Sequence, residues 1–239
     1  MSKTRLNLIL PCFNPLIGWE IRVCQHLTRL QTQLQDAIIE PILINDGSTR
    51  GVEEKHFDYM KEHFPTMQII HYPDNQGKGF AVREGFKLST AQYIIFTDID
   101  FPYIEADVIK MYRKLQKEDI DILIGIRQVD YYLQTPWYRA LISKLLKFLI
   151  GHFLNVKITD TQGGLKAFSQ KGREILLKTT INRYLFDLEI VKIASNTPGL
   201  IMEAMPVELR KDVQFASLSW VIIRREFLNL IKIFFSKNT

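Results

Sequence analysis

The chain of 239 residues has few cysteines and no long apolar run. Its two cysteines, Cys12 and Cys24, lack metal-ligand spacing and form no disulfide framework, so a reducing cytosol is the expected compartment. No stretch reaches the roughly 18 apolar residues of a membrane span, so no transmembrane helix is predicted and any membrane contact should be peripheral. The apolar run Leu6–Leu10 is too short for a signal peptide core and ends at Pro11, which favours a first strand.

Two common phosphate-binding patterns are also missing. Gly77-Lys78-Gly79 does not complete G-x-x-x-x-G-K-[ST], and no G-x-G-x-x-G follows the first predicted strand. A P-loop NTPase and a dehydrogenase are therefore disfavoured. No repeat, linker or low-complexity segment divides the chain, and a hydrophobic content of 46% is enough for one large core.

The charge balance is basic, with a formal net charge of +5 and an isoelectric point near 9.1. Such a balance favours an anionic partner: phosphate, nucleic acid or an acidic membrane surface. Nucleic acid is disfavoured because the basic residues are scattered among apolar stripes and no recognition motif accompanies them.

Short apolar segments alternate with helical patterns such as Trp19–Leu34. This rhythm predicts an α/β fold with a mostly parallel central sheet flanked by helices, and such sheets bind ligands beyond the carboxyl ends of their strands. After the second strand, Ser48 or Thr49 is expected to cap the following helix. The predicted strands are Leu6–Leu10, Ile38–Ile44, Met67–His71, Tyr93–Thr97 and Ile120–Ile126, followed by Met202–Arg210, which contains Pro206 and should lie at an edge.

An Asp-x-Asp pair follows the fourth predicted strand. Because side chains alternate along a strand, Asp98 and Asp100 should point the same way, with Ile99 turned into the core. Two such carboxylates repel each other unless a cation lies between them, and hard oxygen ligands suit Mg²⁺ or Mn²⁺. The alternative interpretation of the Asp-x-Asp motif is a surface turn without a metal. Loops at Asn14 and Asp46 also follow strands and should converge with the pair on one site.

Several features keep two interpretations open. Lys78 is either a solvated turn lysine or a phosphate contact, and Asp187 is either a helix cap or an active-site residue. The i, i+2 spacing of Asp187 and Glu189 places them on different sides of a helix, so they need not act as a pair. The segments Tyr131–Leu154 and Trp220–Phe235 each combine an apolar stripe with basic residues; a core-facing helix is the usual cause, but the recurrence favours contact with a membrane or lipid.

Six motifs, taken in order, resemble those of inverting family 2 glycosyltransferases with the GT-A fold, and more narrowly of the polyprenyl-phosphate (dolichyl-phosphate-type) sugar synthases. The resemblance covers nearly the whole chain. The matches are Pro11-Cys12-Phe13-Asn14 to P-x-Y-N, Asn45–Thr49 to D-D-G-S-T, Asn75–Gly79 to N-x-G-K-G, Asp98–Asp100 to D-x-D, Asp160–Phe168 to D-T-Q-C-G-F-K-x-F and Phe186–Glu189 to F-D-x-E.

The resemblance implies a role for each matching residue. It implies a GT-A glycosyltransferase domain of residues 1–217, with a C-terminal basic amphipathic helix of residues 218–239 that is part of this domain or appended to it. It also implies a location at the cytoplasmic face of a membrane. Asp98 and Asp100 are expected to hold the metal, Mg²⁺ or Mn²⁺, and the donor diphosphate, while Arg127 and Arg139 should meet phosphate groups near the acceptor. The residues expected to bind the sugar donor are Pro11, Phe13, Asn14, Asp46, Lys78, Gly79 and Gln162.

Departures from the family pattern bear on the donor. Phe13 replaces Tyr, Pro15 replaces Glu, and Asn45 replaces the first Asp of D-D-G-S. Mannosyl-phosphate synthases commonly carry Gln where this chain has Pro102. The resemblance therefore implies a UDP-sugar, with UDP-glucose favoured over GDP-mannose.

The acceptor decides which catalytic groups are needed. A polyprenyl phosphate is already anionic and needs only cations to position it, for which Arg127, Arg139 and Lys166 are the candidates. A sugar hydroxyl needs a base, for which Asp187 is the first candidate and Glu189 the second. A non-catalytic GT-A-like subunit is the third hypothesis, and the intact Asp98 and Asp100 disfavour it.

Overall fold

The computed structural model describes residues 3–127, 151, 158, 160–161, 163–210, 229–230 and 233. Arg139, Gln162 and most of the two basic apolar stripes lie outside this part of the chain. The strands in it are β1 (Thr4–Cys12), β2 (Ala37–Asp46), β3 (Gln68–Tyr72), β4 (Tyr93–Phe96), β5 (Ile122–Arg127), β6 (Lys166–Phe168) and β7 (Met202–Val207). The helices are α1 (Trp19–Gln33), α2 (Glu54–His63), α3 (Lys78–Leu88), α4 (Glu105–Lys117), α5 (Gln170–Leu177) and α6 (Phe186–Ser195).

The seven strands form one sheet in the order β3-β2-β1-β4-β6-β5-β7. Four neighbouring pairs are parallel, and β6 alone runs antiparallel to its neighbours β4 and β5. The mostly parallel α/β sheet is confirmed. So is the edge position of β7, where Pro206 cannot donate to a further strand.

Both faces of the sheet are covered. Consecutive strand residues point to opposite faces, so Leu8 joins the core beside α1, α2 and α4, whereas Ile9 joins the core beside α3, α5 and α6. Ile95 and Phe96 divide in the same way. Burial on both faces explains why these strands are continuous apolar runs rather than alternating ones.

The second basic stripe contributes at least two side chains to this core. Leu230 is 8% exposed and Ile233 is 2% exposed, and both belong to the cluster beside α6. The Nζ of Lys192 also donates to the carbonyl of Ile233 over 2.6 Å. These two residues therefore face the protein interior and not a membrane. In the described part of the chain no helix is both long and apolar enough to span a bilayer.

The loop after β2 differs from its sequence-based prediction. Neither Ser48 nor Thr49 caps α2; Glu53 is the N-cap, in a reciprocal capping arrangement with His56. The polar groups of Ser48 and Thr49 instead bind Asn14 in the neighbouring loop. The predicted cap is wrong because Ser48 and Thr49 form hydrogen bonds with Asn14, in the loop after β1, at the same edge of the sheet.

Candidate active site

The loops after β1 and β2 are joined at the carboxyl edge of the sheet. The Asn14 amide donates to Ser48 Oγ over 3.0 Å, and Asn14 Oδ1 accepts the amides of Thr49 (2.9 Å) and Arg50 (3.2 Å). Asn14 adopts a left-handed φ of 48°, which asparagine tolerates better than most residues. The adjoining Phe13 ring is left 48% exposed beside these loops. The predicted convergence of the Asn14 and Asp46 loops is thus present.

Asp46 connects the end of β2 to the loop before α3. Its carboxylate is 2% exposed and accepts hydrogen bonds from the Gln76 amide (2.7 Å), the Gly77 amide (2.9 Å) and Asn75 Nδ2 (2.7 Å). Burial raises the pKa of Asp46, and these donors oppose the rise. The structure therefore shows Asp46 holding the N-x-G-K-G loop in place, while its expected role with the donor base or ribose stays a prediction.

Asp98 and Asp100 lie in a turn beyond β4, not on the strand. β4 ends at Phe96, the Asp98 carbonyl accepts the Phe101 amide over 2.9 Å, and Phe101 has a left-handed φ of 45°. The alternation expected of a strand therefore does not apply to the pair. Desolvation and the nearby charge of Asp98 raise the pKa of Asp100 to about 6, so the two carboxylates repel each other.

Lys78 supplies a positive charge to this acidic turn. Its Nζ lies 2.5 Å from Asp98 Oδ1 and 5.9 Å from the centroid of the Phe96 ring. Desolvation lowers the pKa of Lys78, but the charges of Asp98 and Asp187 outweigh it and leave that pKa raised. Lys78 is thus an inward-facing partner of the Asp-x-Asp turn and not a solvated turn lysine.

The acidic turn fits a hard divalent cation. Two carboxylates with mutual repulsion are oxygen ligands that Mg²⁺ and Mn²⁺ favour, and these ions keep several positions for water and phosphate. Over the described ranges no group of three or more His, Cys, Asp or Glu side chains is arranged to hold a metal. A cation at Asp98 and Asp100 would therefore draw further ligands from the donor and from water.

Asp187 is buried in an ion pair. Its Oδ1 lies 2.6 Å from Lys166 Nζ, which also donates to the Gly163 carbonyl over 2.5 Å, and Lys166 has no exposed surface. Burial raises the pKa of Asp187 and lowers that of Lys166. In each case the charge of the partner acts in the opposite direction, but burial has the larger effect. Asp187 does not cap α6, whose N-cap is Leu185. Lys166 is thus the partner of Asp187, and its proposed contact with an acceptor phosphate stays a prediction.

Glu189 is held on a different side of α6, as its spacing from Asp187 predicted. Its carboxylate accepts the amides of Thr180 (2.9 Å) and Ile181 (2.8 Å) and the Thr180 hydroxyl (2.9 Å). Arg83 donates to the carbonyl of Ile181 over 2.8 Å. Glu189 and Arg83 together fix the loop before α6, which packs against α3.

Arg127 is paired within the protein. Its side chain is 8% exposed and binds Asp160, with Nη2 to Oδ1 at 2.6 Å and Nε to Oδ1 at 3.1 Å; the Arg127 amide donates to Oδ2 over 2.9 Å. The pair ties the end of β5 to the Asp160–Phe168 motif. A direct contact of Arg127 with an acceptor phosphate remains a prediction, as does that of Arg139.

A network around His26 supports the acidic turn and was not predicted. The His26 ring stacks on Phe101 with centroids 4.8 Å apart, its Nδ1 lies 2.8 Å from Glu105 Oε1, and its Nε2 contacts the Arg210 guanidinium. Desolvation lowers the pKa of His26, which favours a neutral ring that accepts at Nε2. The charge of Arg210 acts on Asp100. No motif signals His26, since it resembles any polar residue of an amphipathic helix.

The mostly parallel seven-stranded sheet, with an acidic turn beyond its strand β4, has the α/β architecture of the GT-A class. The family model "Glycosyl transferase family 2" matches residues 8–176, and the chain belongs to that family.

Curated relatives and solved structures agree with this assignment. The chain is 28% identical over 167 residues to dolichyl-phosphate beta-glucosyltransferase of Drosophila melanogaster, covering 66% of this chain and 51% of that protein. It is 29% identical over 214 residues to the enzyme of that name from Dictyostelium discoideum, covering 79% and 62%. The chain thus spans between about half and two thirds of the length of these relatives.

The fold also matches a solved structure, glucosyl-3-phosphoglycerate synthase from Mycobacterium tuberculosis in complex with Mn²⁺, UDP and phosphoglyceric acid. The TM-score is 0.65 at 15% identity, with 100% of this chain and 81% of that chain covered. The same enzyme has also been solved with Mn²⁺, UDP-glucose and phosphoglyceric acid. At this identity the likeness shows the GT-A fold.

Proposed function

We propose that the protein transfers a hexose, with glucose favoured, from a UDP-sugar to a polyprenyl phosphate, with inversion at the anomeric carbon and in dependence on Mg²⁺ or Mn²⁺. The distant relatives named for dolichyl-phosphate glucosyl transfer support this acceptor and sugar. The observation that carries the proposal is the buried Lys166–Asp187 pair. Asp187 was the first candidate for the base that a hydroxyl acceptor would need, and its engagement with Lys166 supports a phosphate acceptor instead.

On the donor side, Asp98 and Asp100 would hold the cation and, through it, the diphosphate. Bound there, the cation would stabilise the charge that develops on the departing nucleoside diphosphate. Lys78 lies against Asp98, and it is also the first residue of α3, so the positive end of that helix faces the same edge. The loops at Phe13, Asn14 and Asp46 form the adjoining surface for base and ribose.

On the acceptor side, a phosphate oxygen attacks the anomeric carbon without losing a proton to the protein. A polyprenyl phosphate carries its negative charge at neutral pH, so cationic residues orient it and no general base is required. Arg139 is the candidate from the sequence. Arg127 lies at the carboxyl end of β5, at the same edge of the sheet as the end of β4. A peripheral position at the cytoplasmic face of a membrane follows from a lipid acceptor.

The sequence left open whether the C-terminal helix of residues 218–239 is part of the glycosyltransferase domain or appended to it. Leu230 and Ile233 pack into the core that α3, α5 and α6 share. The packing of these two residues supports the alternative in which the helix is part of the domain.

The acceptor class is tested by a transfer assay on the purified chain with labelled UDP-glucose and Mn²⁺. Three acceptors are compared: a polyprenyl phosphate, the matching free polyprenol and an alkyl glucoside. We expect label only in the lipid phosphate, a loss of about 100-fold or more in Asp98→Asn, and little change in Asp58→Asn, an exposed carboxylate of α2 that serves as control.

Two outcomes would contradict the proposal. Transfer to the glucoside without transfer to the lipid phosphate would assign the protein to hydroxyl acceptors. Binding of UDP-glucose without transfer to any of the three would favour a non-catalytic subunit.

A further inference from the structure

The loop between β1 and α1 presents adjacent apolar side chains to solvent. Leu16 is 58% exposed and Ile17 is 95% exposed, the highest value for a large apolar residue in the described part of the chain. Ile21, one turn into α1, is 44% exposed. We call Leu16 and Ile17 the apolar tip. Exposure of two adjacent large aliphatic side chains is unfavourable in water and favourable at an apolar surface.

The carbonyls of the apolar tip and of the next residue, Gly18, are hydrogen-bonded within the protein. The Leu16 carbonyl accepts the Trp19 amide (3.1 Å) and Arg22 Nη2 (3.3 Å), and the Ile17 carbonyl accepts Arg22 Nη1 (2.9 Å). The Gly18 carbonyl accepts the Arg22 amide over 3.3 Å. Unpaired carbonyls are what normally keeps a loop out of an apolar phase, and these three are paired.

Two arginines lie beside the apolar tip. The Arg22 guanidinium lies at its base, and Arg50 is exposed on the loop that packs beside it, with its amide bound to Asn14. Glu20 is the acidic residue in the first turn of α1, and its Oε2 is buried. An apolar tip with arginines around it is complementary to a bilayer that carries anionic headgroups.

The apolar tip lies at the same edge of the sheet as the acidic turn. It follows β1, and the acidic turn follows β4, which is the parallel neighbour of β1. Both therefore lie at the carboxyl edge of the sheet. The described residues of the C-terminal stripe, Leu230 and Ile233, are buried and offer no competing apolar surface.

We propose that the apolar tip of Leu16 and Ile17 is a membrane-contact site that enters the headgroup region of an anionic bilayer, with Arg22 and Arg50 at the lipid phosphates. This site is independent of the sugar-transfer chemistry. A negative transfer assay would therefore count only against the proposed function, and a negative membrane assay only against the membrane contact.

The direct test places an environment-sensitive fluorophore on the tip. Ile17→Cys is labelled with a nitrobenzoxadiazole group, which is practicable because the native Cys12 and Cys24 are buried. Vesicles of phosphatidylcholine with phosphatidylserine should shift its emission to the blue and raise its intensity, and salt should weaken the change. Ile201→Cys, at an exposed isoleucine near the amino end of β7, is the matched control and should show no shift.

Flotation with the same vesicles gives a second measurement on unlabelled protein. Ile17→Asp should weaken binding about tenfold or more relative to wild type, whereas Ile201→Asp should not. Equal flotation of Ile17→Asp and wild type, or an unchanged emission from the labelled tip, would overturn the proposal. So would a wild-type dimer, seen by sedimentation without lipid, that Ile17→Asp disperses, because the tip would then cover a second copy of the chain.

Discussion

Lys78 and Asp98 belong to two separate motifs and meet at 2.5 Å. The sequence indicated that each could lie near a phosphate or a metal, but not that they contact each other. A partly buried carboxylate needs a positive partner. Lys78 supplies that charge to Asp98 from within the protein.

The residue-scale prediction concerns Lys166 and Asp187. Asp187→Asn removes one charge of a fully buried pair and leaves Lys166 without its charged partner, so it should lower the free energy of unfolding by about 3 kcal/mol. The double variant Lys166→Met/Asp187→Asn removes both charges and should recover most of that loss. Urea unfolding followed by circular dichroism measures both values.

If Asp187→Asn proved as stable as wild type, Lys166 and Asp187 would not both be charged in the folded protein. The result also decides how activity data are interpreted. A fall in activity of the single variant is informative about catalysis only if the double variant, with restored stability, shows the same fall.

Some of these contacts could be predicted from the sequence and some could not. The separation of Asp187 from Glu189 follows from helix geometry and is confirmed. The burial of Lys166 is not predictable from hydrophobic patterns, because a lysine in a short motif has no periodic signal. Its burial depends on Asp187, which comes close only through the fold.

At the scale of elements, the loop of residues 179–185 packs against the start of α3. A side chain at Gly77 would overlap the Asn182 carbonyl, and one at Gly79 would overlap the Ile181 carbonyl and the Phe186 ring. Glu189 and Arg83 hold this loop from its other side. The two glycines therefore allow the 179–185 loop to touch the start of α3.

Gly79→Ala tests this contact. The added methyl group meets a backbone carbonyl that cannot turn away, so we expect a loss of about 2 kcal/mol in stability and weaker UDP binding. Gly199→Ala is the control: it has open space around it and should lose only about 1 kcal/mol, from its left-handed φ of 69°. Chemical unfolding and UDP titration of both variants give the comparison. Equal losses would show that the close approach at Gly79 is not required.

Elements with a strong apolar run were predictable, and short ones were not. The strands predicted at Leu6–Leu10, Ile38–Ile44 and Tyr93–Thr97 correspond to β1, β2 and β4. β6 was not predicted, because its three residues include a lysine and give no alternation. The cap assigned to Ser48 or Thr49 was wrong, because the choice between capping a helix and binding Asn14 is made by tertiary structure.

At the scale of the whole molecule, the sheet order brings the site together. β1 lies between β2 and β4, so the loops at Asn14, Asp46 and Asp98 end at the same edge. The alternating pattern predicted this arrangement, and the six ordered motifs indicated the family. The supporting contacts were not predictable, because His26, Glu105 and Arg210 are far apart in sequence and meet only in the folded chain.

The most direct test of the proposed site is a calorimetric titration of UDP with and without Mn²⁺ on wild type, Asp98→Asn and Asp100→Asn. It is carried out well above the Asp100 pKa of about 6, where that carboxylate is ionised. We predict that Mn²⁺ tightens UDP binding by wild type about tenfold or more, and that either variant abolishes this gain while keeping metal-free binding within a few-fold. Equal UDP affinity of wild type with and without Mn²⁺, or a gain that both variants retain, would contradict a metal-diphosphate site at the acidic turn.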